Sequence, residues 1–296
     1  MSVATTSPAF PAGRQPADRP RITAEDVTVF CDFFYKKTGI SMDASRRYFI
    51  DRRLEDRMVA SECGSFREYL SLVKFQPGGG EMQALINEMT VNETYFFRED
   101  YQFACLTRHM LDEIADRKDP RKDRIRIWSV PCSTGEEPYS IAISILENWP
   151  RASAFDIEII ASDIDTRAMA KARQGIYQAR ALHRVPDKVR QTYFHEVDRD
   201  TWQVVEDLRE SIDFTLLNVS SPTQMARMRD IDIIFCRNLL IYFDDLSRRQ
   251  TAEHFFDALN PGGFIALGHS ESMSRISNIF LPRKFPEALV HQRPLT

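Results

Sequence analysis

The chain has 296 residues, 43% of them hydrophobic and 28% charged, and a net charge of −4, ordinary values for a soluble globular protein of one large or two smaller domains. The acidic balance argues against a nucleic-acid binder that relies on a global positive field. Five scattered cysteines without a Cys-x-x-Cys pair read as reduced thiols, and six histidines lack metal-ligand spacing.

No apolar run nears the roughly 18 residues of a bilayer span, and the N-terminus lacks the apolar core of a signal peptide. A cytoplasmic chain is therefore expected, with no metal, no nucleic-acid partner and no direct membrane insertion. Residues 1–21, with Pro8, Pro11, Pro16 and Pro20, cannot bury enough apolar surface to offset chain entropy and are expected to form a disordered tail. Thr23 reads as an N-cap, Val27, Phe30, Cys31 and Phe34 follow at helical spacing, and Gly39 closes that helix. A second helix is expected over about 44–61. Ser65-Phe66-Arg67-Glu68 is a capping box opening a third. After the break at Pro77-Gly78-Gly79-Gly80, Met82, Leu85, Ile86 and Met89 mark a fourth. Residues 22–91 thus read as a small all-helical domain, and 92–105 as a linker that contributes to a site.

The pattern then changes. Strands are expected at Ile125–Val130, Ile157–Ala161 running on to Asp163, Asp213–Leu217, Asp232–Phe235 and Phe264–Leu267, with helices between them, one starting near Pro138. This alternation implies an α/β fold over 106–296, with a doubly wound, mainly parallel sheet. Residues 175–212 interrupt it. Val204 and Val205 after Trp202 suggest a small antiparallel β insertion there.

In such sheets a ligand sits at the C-terminal strand ends, near the switch in strand order. Asn92-Glu93-Thr94-Tyr95-Phe96-Phe97-Arg98-Glu99 packs aromatic rings against an amide, a hydroxyl, an arginine and carboxylates. That mixture suits the rim of a small-molecule site better than a core helix. Ser133, Thr134 and Gly135 let backbone approach a ligand closely, although an ordinary strand-to-helix loop would look similar. Glu136 and Glu137 directly after the glycine suit a cationic amino group better than the phosphate that a helix N-terminus otherwise attracts. Asp163 is placed to accept hydrogen bonds from ribose hydroxyls, or else to cap the helix starting near Thr166. Asn218 can meet an adenine edge or serve as a turn residue. Arg237-Asn238 ends the fourth strand.

Four segments carry a resemblance: Asn92–Glu99, Trp128-Ser129-Val130-Pro131-Cys132-Ser133-Thr134-Gly135-Glu136-Glu137-Pro138-Tyr139-Ser140, Ala161-Ser162-Asp163-Ile164-Asp165 and Phe235-Cys236-Arg237-Asn238-Leu239-Leu240-Ile241-Tyr242-Phe243. In this order they closely resemble the chemotaxis-receptor protein-glutamate O-methyltransferases, the CheR-type family, from about residue 22 to the C-terminus. The resemblance implies a Rossmann-like methyltransferase domain and the cofactor S-adenosylmethionine, which carries an amino group and a sulfonium but no phosphate and leaves as S-adenosylhomocysteine. It implies cofactor contacts from Asn92, Thr94, Arg98, Glu137 or Glu136, Asp163, Asn218, Val219, Arg237 and Asn238, with Tyr242 facing the reacting centre. Arg98 and Tyr242 are accordingly the expected catalytic residues. A packed aromatic is the plain alternative for Tyr242.

The implied substrates are glutamates on the cytoplasmic methylation helices of chemoreceptors. An RNA or small-molecule methyltransferase and a non-catalytic, S-adenosylmethionine-binding adaptor or sensor in a receptor array are the rival readings. Arg46, Arg53 and Arg57 occupy a sector of about 40° at roughly 100° per residue on the second helix. They form a candidate dock for an acidic helical partner. Relatives that bind a receptor's C-terminal pentapeptide tether have a glycine-containing turn in the β insertion. No glycine occurs here between Gly175 and Gly262, so no tether binding is expected, and a monomer is expected.

Overall fold

The computed structural model describes residues 21–43 and 46–296, so the expected tail lies almost wholly outside the described residues. Four helices open the chain: α1 (Ala24–Thr38), α2 (Arg47–Ala60), α3 (Phe66–Phe75) and α4 (Gly80–Met89). Local signals set their ends. Thr23 and Asp26 form a reciprocal capping box, and Gly39 closes α1 at φ 73°, a left-handed conformation in which glycine carries no Cβ penalty. The Ser65 side chain accepts from the Glu68 N–H at the start of α3. The four helices share a core of their own around Phe30, Phe34, Ile50, Leu54, Met58, Tyr69 and Leu85.

The segment after Asn92 has no regular structure to Tyr95 and turns over Phe96–Glu99. Helix α5 (Asp100–Cys105) begins within the expected linker and continues through a π-helical turn, Leu106–Met110, into α6 (Leu111–Ala115). Then follow β1 (Arg124–Ser129), α7 (Glu136–Asn148), β2 (Asp156–Asp163), α8 (Thr166–Gln174), β3 (Ile176–Gln178), α9 (Asp187–Tyr193), β4 (Phe194–Asp198), β5 (Thr201–Val204), α10 (Glu206–Glu210), β6 (Ile212–Leu216), α11 (Pro222–Met225), β7 (Ile231–Cys236), α12 (Asp245–Ala258), β8 (Leu259–Leu267), β9 (Leu281–Lys284) and β10 (Leu289–Gln292).

The main sheet has the order β6-β2-β1-β7-β8-β10-β9. Its first five strands are parallel. All six residues of β7 are buried, as a strand covered on both faces requires. One core holds Phe103, Ile127, Phe235 and Phe264, and the other holds Trp128, Ile234, Phe255 and Ile265. Adjacent residues of β1, β7 and β8 thus point to opposite cores, as a period of two demands. Strand β1 lies between β2 and β7, and this places the switch point at the C-terminal end of β1.

Two features complete the mainly parallel pattern. Strands β9 and β10 add an antiparallel edge beyond β8. The antiparallel insertion has three strands, in the order β3-β5-β4. Its β4–β5 turn reverses over Arg199-Asp200, with Asp200 at φ 59°. The chain thus reaches a left-handed conformation without glycine, because a short Asp side chain tolerates it.

Candidate active site

Three connections leave the C-terminal ends of β1, β2 and β7 and meet the segment that follows α4. In the β1–α7 turn, Gly135 stands at φ 96°, and a Cβ there would lie 2.9 Å from both the Ala172 Cβ and the Tyr177 hydroxyl. Only glycine fits. The two glutamates that follow diverge. The Glu137 carboxylate turns toward β7, accepting from the Ser129 hydroxyl at 2.7 Å and from Arg237 Nη1 at 3.0 Å. Glu136 turns the other way, accepts from the Thr134 hydroxyl at 2.6 Å and lines a separate cleft beside Lys171 and Tyr177. Burial pushes both carboxyls up; Arg237 opposes the shift at Glu137, and the Thr134 hydroxyl opposes it at Glu136.

At the end of β2, Asp163 accepts the Ser133 N–H at 2.8 Å and the Asp165 N–H at 2.9 Å. Burial raises its carboxyl to about 6, and those backbone donors work against the rise. The helix-capping alternative falls to its neighbour. Asp165 caps α8 by accepting from Arg167 and Ala168 N–H at 2.8 and 3.0 Å. Its other oxygen takes the Thr90 hydroxyl at 2.6 Å and the Asn92 amide at 2.7 Å. Asn92 therefore straps the linker to the β2–α8 connection, and its side-chain Oδ1 also accepts from the Ser133 hydroxyl at 3.3 Å.

Beyond β6, the Asn218 amide donates to the Lys37 carbonyl at 2.8 Å, and its oxygen accepts the Ser220 N–H at 2.9 Å. This side chain thus docks the end of α1 and also lines a slot. The slot is apolar: Val130, Pro131, Leu217, Val219, Leu239 and Phe243 line it, with Asp163 and Asn218 at its edge.

At the end of β7, Arg237 is almost wholly buried, its side chain 3% exposed. It joins Glu137 at 3.0 Å and Glu99 at 3.3 Å, donates to the Arg98 carbonyl, and lies over the Phe103 ring at 5.6 Å. Its Nε is buried with no partner among the described residues. Arg98 donates to the Glu93 carbonyl at 2.9 Å, with its guanidinium 6.0 Å from the Tyr95 ring. Asn238 follows at φ 58°. Tyr242 is held by its own carbonyl, which accepts the Ser41 N–H at 2.8 Å.

These parts make one groove in three stretches. The apolar slot opens past Asp163 into a middle stretch lined by Ile40, Met42, Asn92, Asn238 and Tyr242. That leads to a polar chamber of Thr94, Arg98, Glu137, Arg237, Asn238 and Tyr242. Of the expected cofactor and catalytic residues, Glu136 alone lies off the groove. Sequence reasoning missed Ser129, Glu99 and Phe103, which hold Arg237 and Glu137. Glu99 carried a visible signal, since it ends the Asn92–Glu99 segment that was itself singled out.

The three arginines of the docking stripe separate. Arg57 is not a free docking cation. It grips Glu81 through Nε at 2.9 Å and Nη2 at 2.6 Å, and the Tyr69 hydroxyl donates to the same carboxylate at 3.0 Å. Helix α4 packs on the side of α2 that carries Arg57, and this consumes its charge. Arg53 donates to the Glu88 carbonyl at 2.6 Å and stacks over Phe49 at 3.4 Å. Arg46 lies outside the helix at its N-cap, exposed, 5.9 Å from the Tyr242 ring.

Residues 25–90 match the family model described as CheR methyltransferase, all-alpha domain, and residues 92–288 match CheR methyltransferase, SAM binding domain. The chain belongs to the CheR methyltransferase family. It is 48% identical to the "Chemotaxis protein methyltransferase 2" of Vibrio cholerae, over 92% of this chain and 94% of that one. It is 35% identical to the protein of the same name from Pseudomonas aeruginosa, over 94% and 96% of the two chains. The "Chemotaxis protein methyltransferase" of Escherichia coli is 35% identical over 84% and 85%.

This CheR-family chain is an S-adenosylmethionine-dependent methyltransferase, and the groove's chemistry fits that molecule. A slot of aliphatic and aromatic side chains accepts a flat base. A buried carboxylate at the slot's mouth suits ribose hydroxyls. Arg98, together with Arg237 and its unpartnered Nε, beside Glu137, suits a group that carries both a carboxylate and an ammonium. No group of three or more His, Cys, Asp or Glu side chains able to hold a metal occurs among the described residues. No described helix is long and apolar enough to cross a membrane.

Proposed function

We propose that this enzyme methylates glutamate carboxylates on the cytoplasmic helices of chemoreceptors, working in the cytoplasm as a monomer. The observation that carries this reading is the convergence of Arg98, Glu137, Arg237, Asn238 and Tyr242 on one chamber continuous with Asp163 and the apolar slot. S-adenosylmethionine, when bound, supplies an electrophilic methyl group on a sulfonium.

Leu217, Val219 and Asn218 would hold its base, Asp163 its ribose, and Thr94, Arg98, Glu137 and Arg237 its amino-acid end. Asn92 acts through Ser133 and Asp165, shaping the groove's floor. A glutamate carboxylate is already ionised at neutral pH, so the chain needs no general base. Its task is alignment, which can supply roughly 7–11 kcal/mol. Arg98 holds a carboxylate, and the Tyr242 hydroxyl orients the incoming one. Arg46, exposed beside Tyr242, and Arg53, on the wall of the neighbouring cleft, would draw in an acidic receptor helix.

Transfer of labelled methyl to receptor-bearing membranes tests the reading. The parent chain should label receptors, Arg98→Ala and Tyr242→Phe should lower kcat, and the Arg46→Glu/Arg53→Glu double reversal should raise the receptor KM. Labelling should also fall with salt, because exposed charges are screened over about 10 Å at 0.1 M. Binding of the cofactor without any transfer would favour the non-catalytic adaptor.

Asp163→Ala should weaken S-adenosylhomocysteine binding by about 1.5–3 kcal/mol, the worth of a charged hydrogen bond, in calorimetry with EDTA present. Parent affinity should decline as the pH falls through about 6, where the Asp163 carboxyl takes up a proton and loses its acceptor strength. A flat affinity between pH 7.5 and 5 would contradict the ribose role.

The tether expectation also belongs to this proposal. A peptide adding itself as a strand needs an exposed sheet edge, and β4 is an edge of the small sheet. The glycine-free Arg199-Asp200 turn at its end differs from that of tether-binding relatives. We expect no binding of an isolated Asn-Trp-Glu-Thr-Phe peptide, and a dissociation constant of roughly 10 μM or below in a titration would refute this.

A further inference from the structure

Asn238 and Tyr242 sit on the loop that leaves β7, and nothing in the main sheet takes up that loop's first N–H groups. Glu271 does. It lies in the turn that leaves the neighbouring strand β8. One of its oxygens accepts the Asn238 N–H at 2.8 Å and the Gly268 N–H at 2.8 Å; the other accepts the Leu240 N–H at 2.7 Å. A single carboxylate thus satisfies three backbone donors and staples together the C-terminal ends of two adjacent parallel strands. Bonds from N–H to an ionised carboxylate are stronger and more directional than neutral ones. The approach is tight enough to exclude a side chain at Gly268, where a Cβ would lie 2.8 Å from the Glu271 carboxylate and 3.0 Å from the Asn238 nitrogen. Glu271 is not among the residues that line the groove.

We propose that Glu271 is a positioning residue for methyl transfer, holding Asn238 in its left-handed conformation and the 240–242 turn in register so that Asn238 and Tyr242 face the polar chamber. The inference rests on the reading of that chamber as the methyl-transfer site. Glutamine keeps the size but offers one acceptor oxygen where the carboxylate offers two, and its NH2 group must confront at least one of the three N–H donors. The loop then loses its anchor while Arg53, on α2 in the helical domain, is untouched.

The experiment compares the full-length parent chain with Glu271→Gln by steady-state methylation of receptor-bearing membranes and by thermal melting. The expected result is a kcat lowered about ten- to hundredfold, the equivalent of one charged hydrogen bond, at an unchanged receptor KM, in a variant that still melts cooperatively at a somewhat lower temperature. A kcat equal to that of the parent overturns the proposal, and so does a matching rise in KM, which would mean a general distortion. Should Glu271→Gln fail to fold, Gly268→Ala decides: a folded variant with lowered kcat supports the staple, and one with parental kcat overturns it. A parent chain that methylates no receptor would instead sink the functional reading, whatever the variants do.

Discussion

Replacing Arg237 with methionine is expected to abolish methyl transfer and to cost about 3–5 kcal/mol of stability, the usual consequence of stranding a buried charge. Methionine restores much of the volume, so the loss is electrostatic. Arg237 is the cation that neutralises Glu137 and Glu99, whose side chains are 11% and 16% exposed. Burial already pushes the Glu137 carboxyl up, and Arg237 is the largest influence holding it down. Without the arginine its folded-state pKa moves further above the unfolded value. Such a group costs stability at neutral pH, and the cost fades as the pH falls and the carboxyl is protonated. Urea denaturation of both proteins at pH 7 and pH 5 provides the check. The variant's deficit should shrink at the lower pH, and a deficit independent of pH would show that Glu137 is not the stranded charge.

Arg57→Ala should be the second severe lesion, and its damage should be to the fold rather than to receptor docking. The substitution leaves Glu81 without a cation inside the helical domain, at a cost of about 3–5 kcal/mol, with the Tyr69 hydroxyl bonded to an uncompensated carboxylate. The ion pair is well shielded, the two side chains being 20% and 8% exposed. Thermal melting should show the loss, and the Arg57→Met/Glu81→Gln double variant should recover most of it, since glutamine still accepts from Tyr69. Equal melting temperatures for Arg57→Ala and the parent would return Arg57 to the docking surface. Lowered melting without recovery in the double variant would mean that the packing of the guanidinium, not its charge, is what α4 requires.

By itself the sequence determined what short-range patterns control. Period-3.6 apolar residues with Thr23, Ser65 and Gly39 at their boundaries specified helices, because caps act within one turn. Apolar runs of strand length alternating with helices specified a parallel sheet, because such strands must be covered on both faces. The place of the candidate groove was legible too, since Asp163 ends β2, Asn218 and Arg237 lie just past β6 and β7, and Glu137 lies in the first turn of the helix that follows β1. Tertiary structure alone decided which partner each polar side chain takes. Glu136 and Glu137 are adjacent in sequence yet face different clefts, because successive helix residues are separated by about 100°. Arg57 belongs to the candidate docking stripe by helical spacing, but α4 brings Glu81 to it from 24 residues away. Asn218 donates its amide to the end of α1, 181 residues away in sequence, a partner that no nearby residue announces. Glu271 shows nothing locally, for its three donors belong to two strands that become neighbours only in the folded sheet. Long charged side chains commit to whichever opposite charge or backbone group the packing brings within about 3 Å, and no pattern within a few residues encodes that distance.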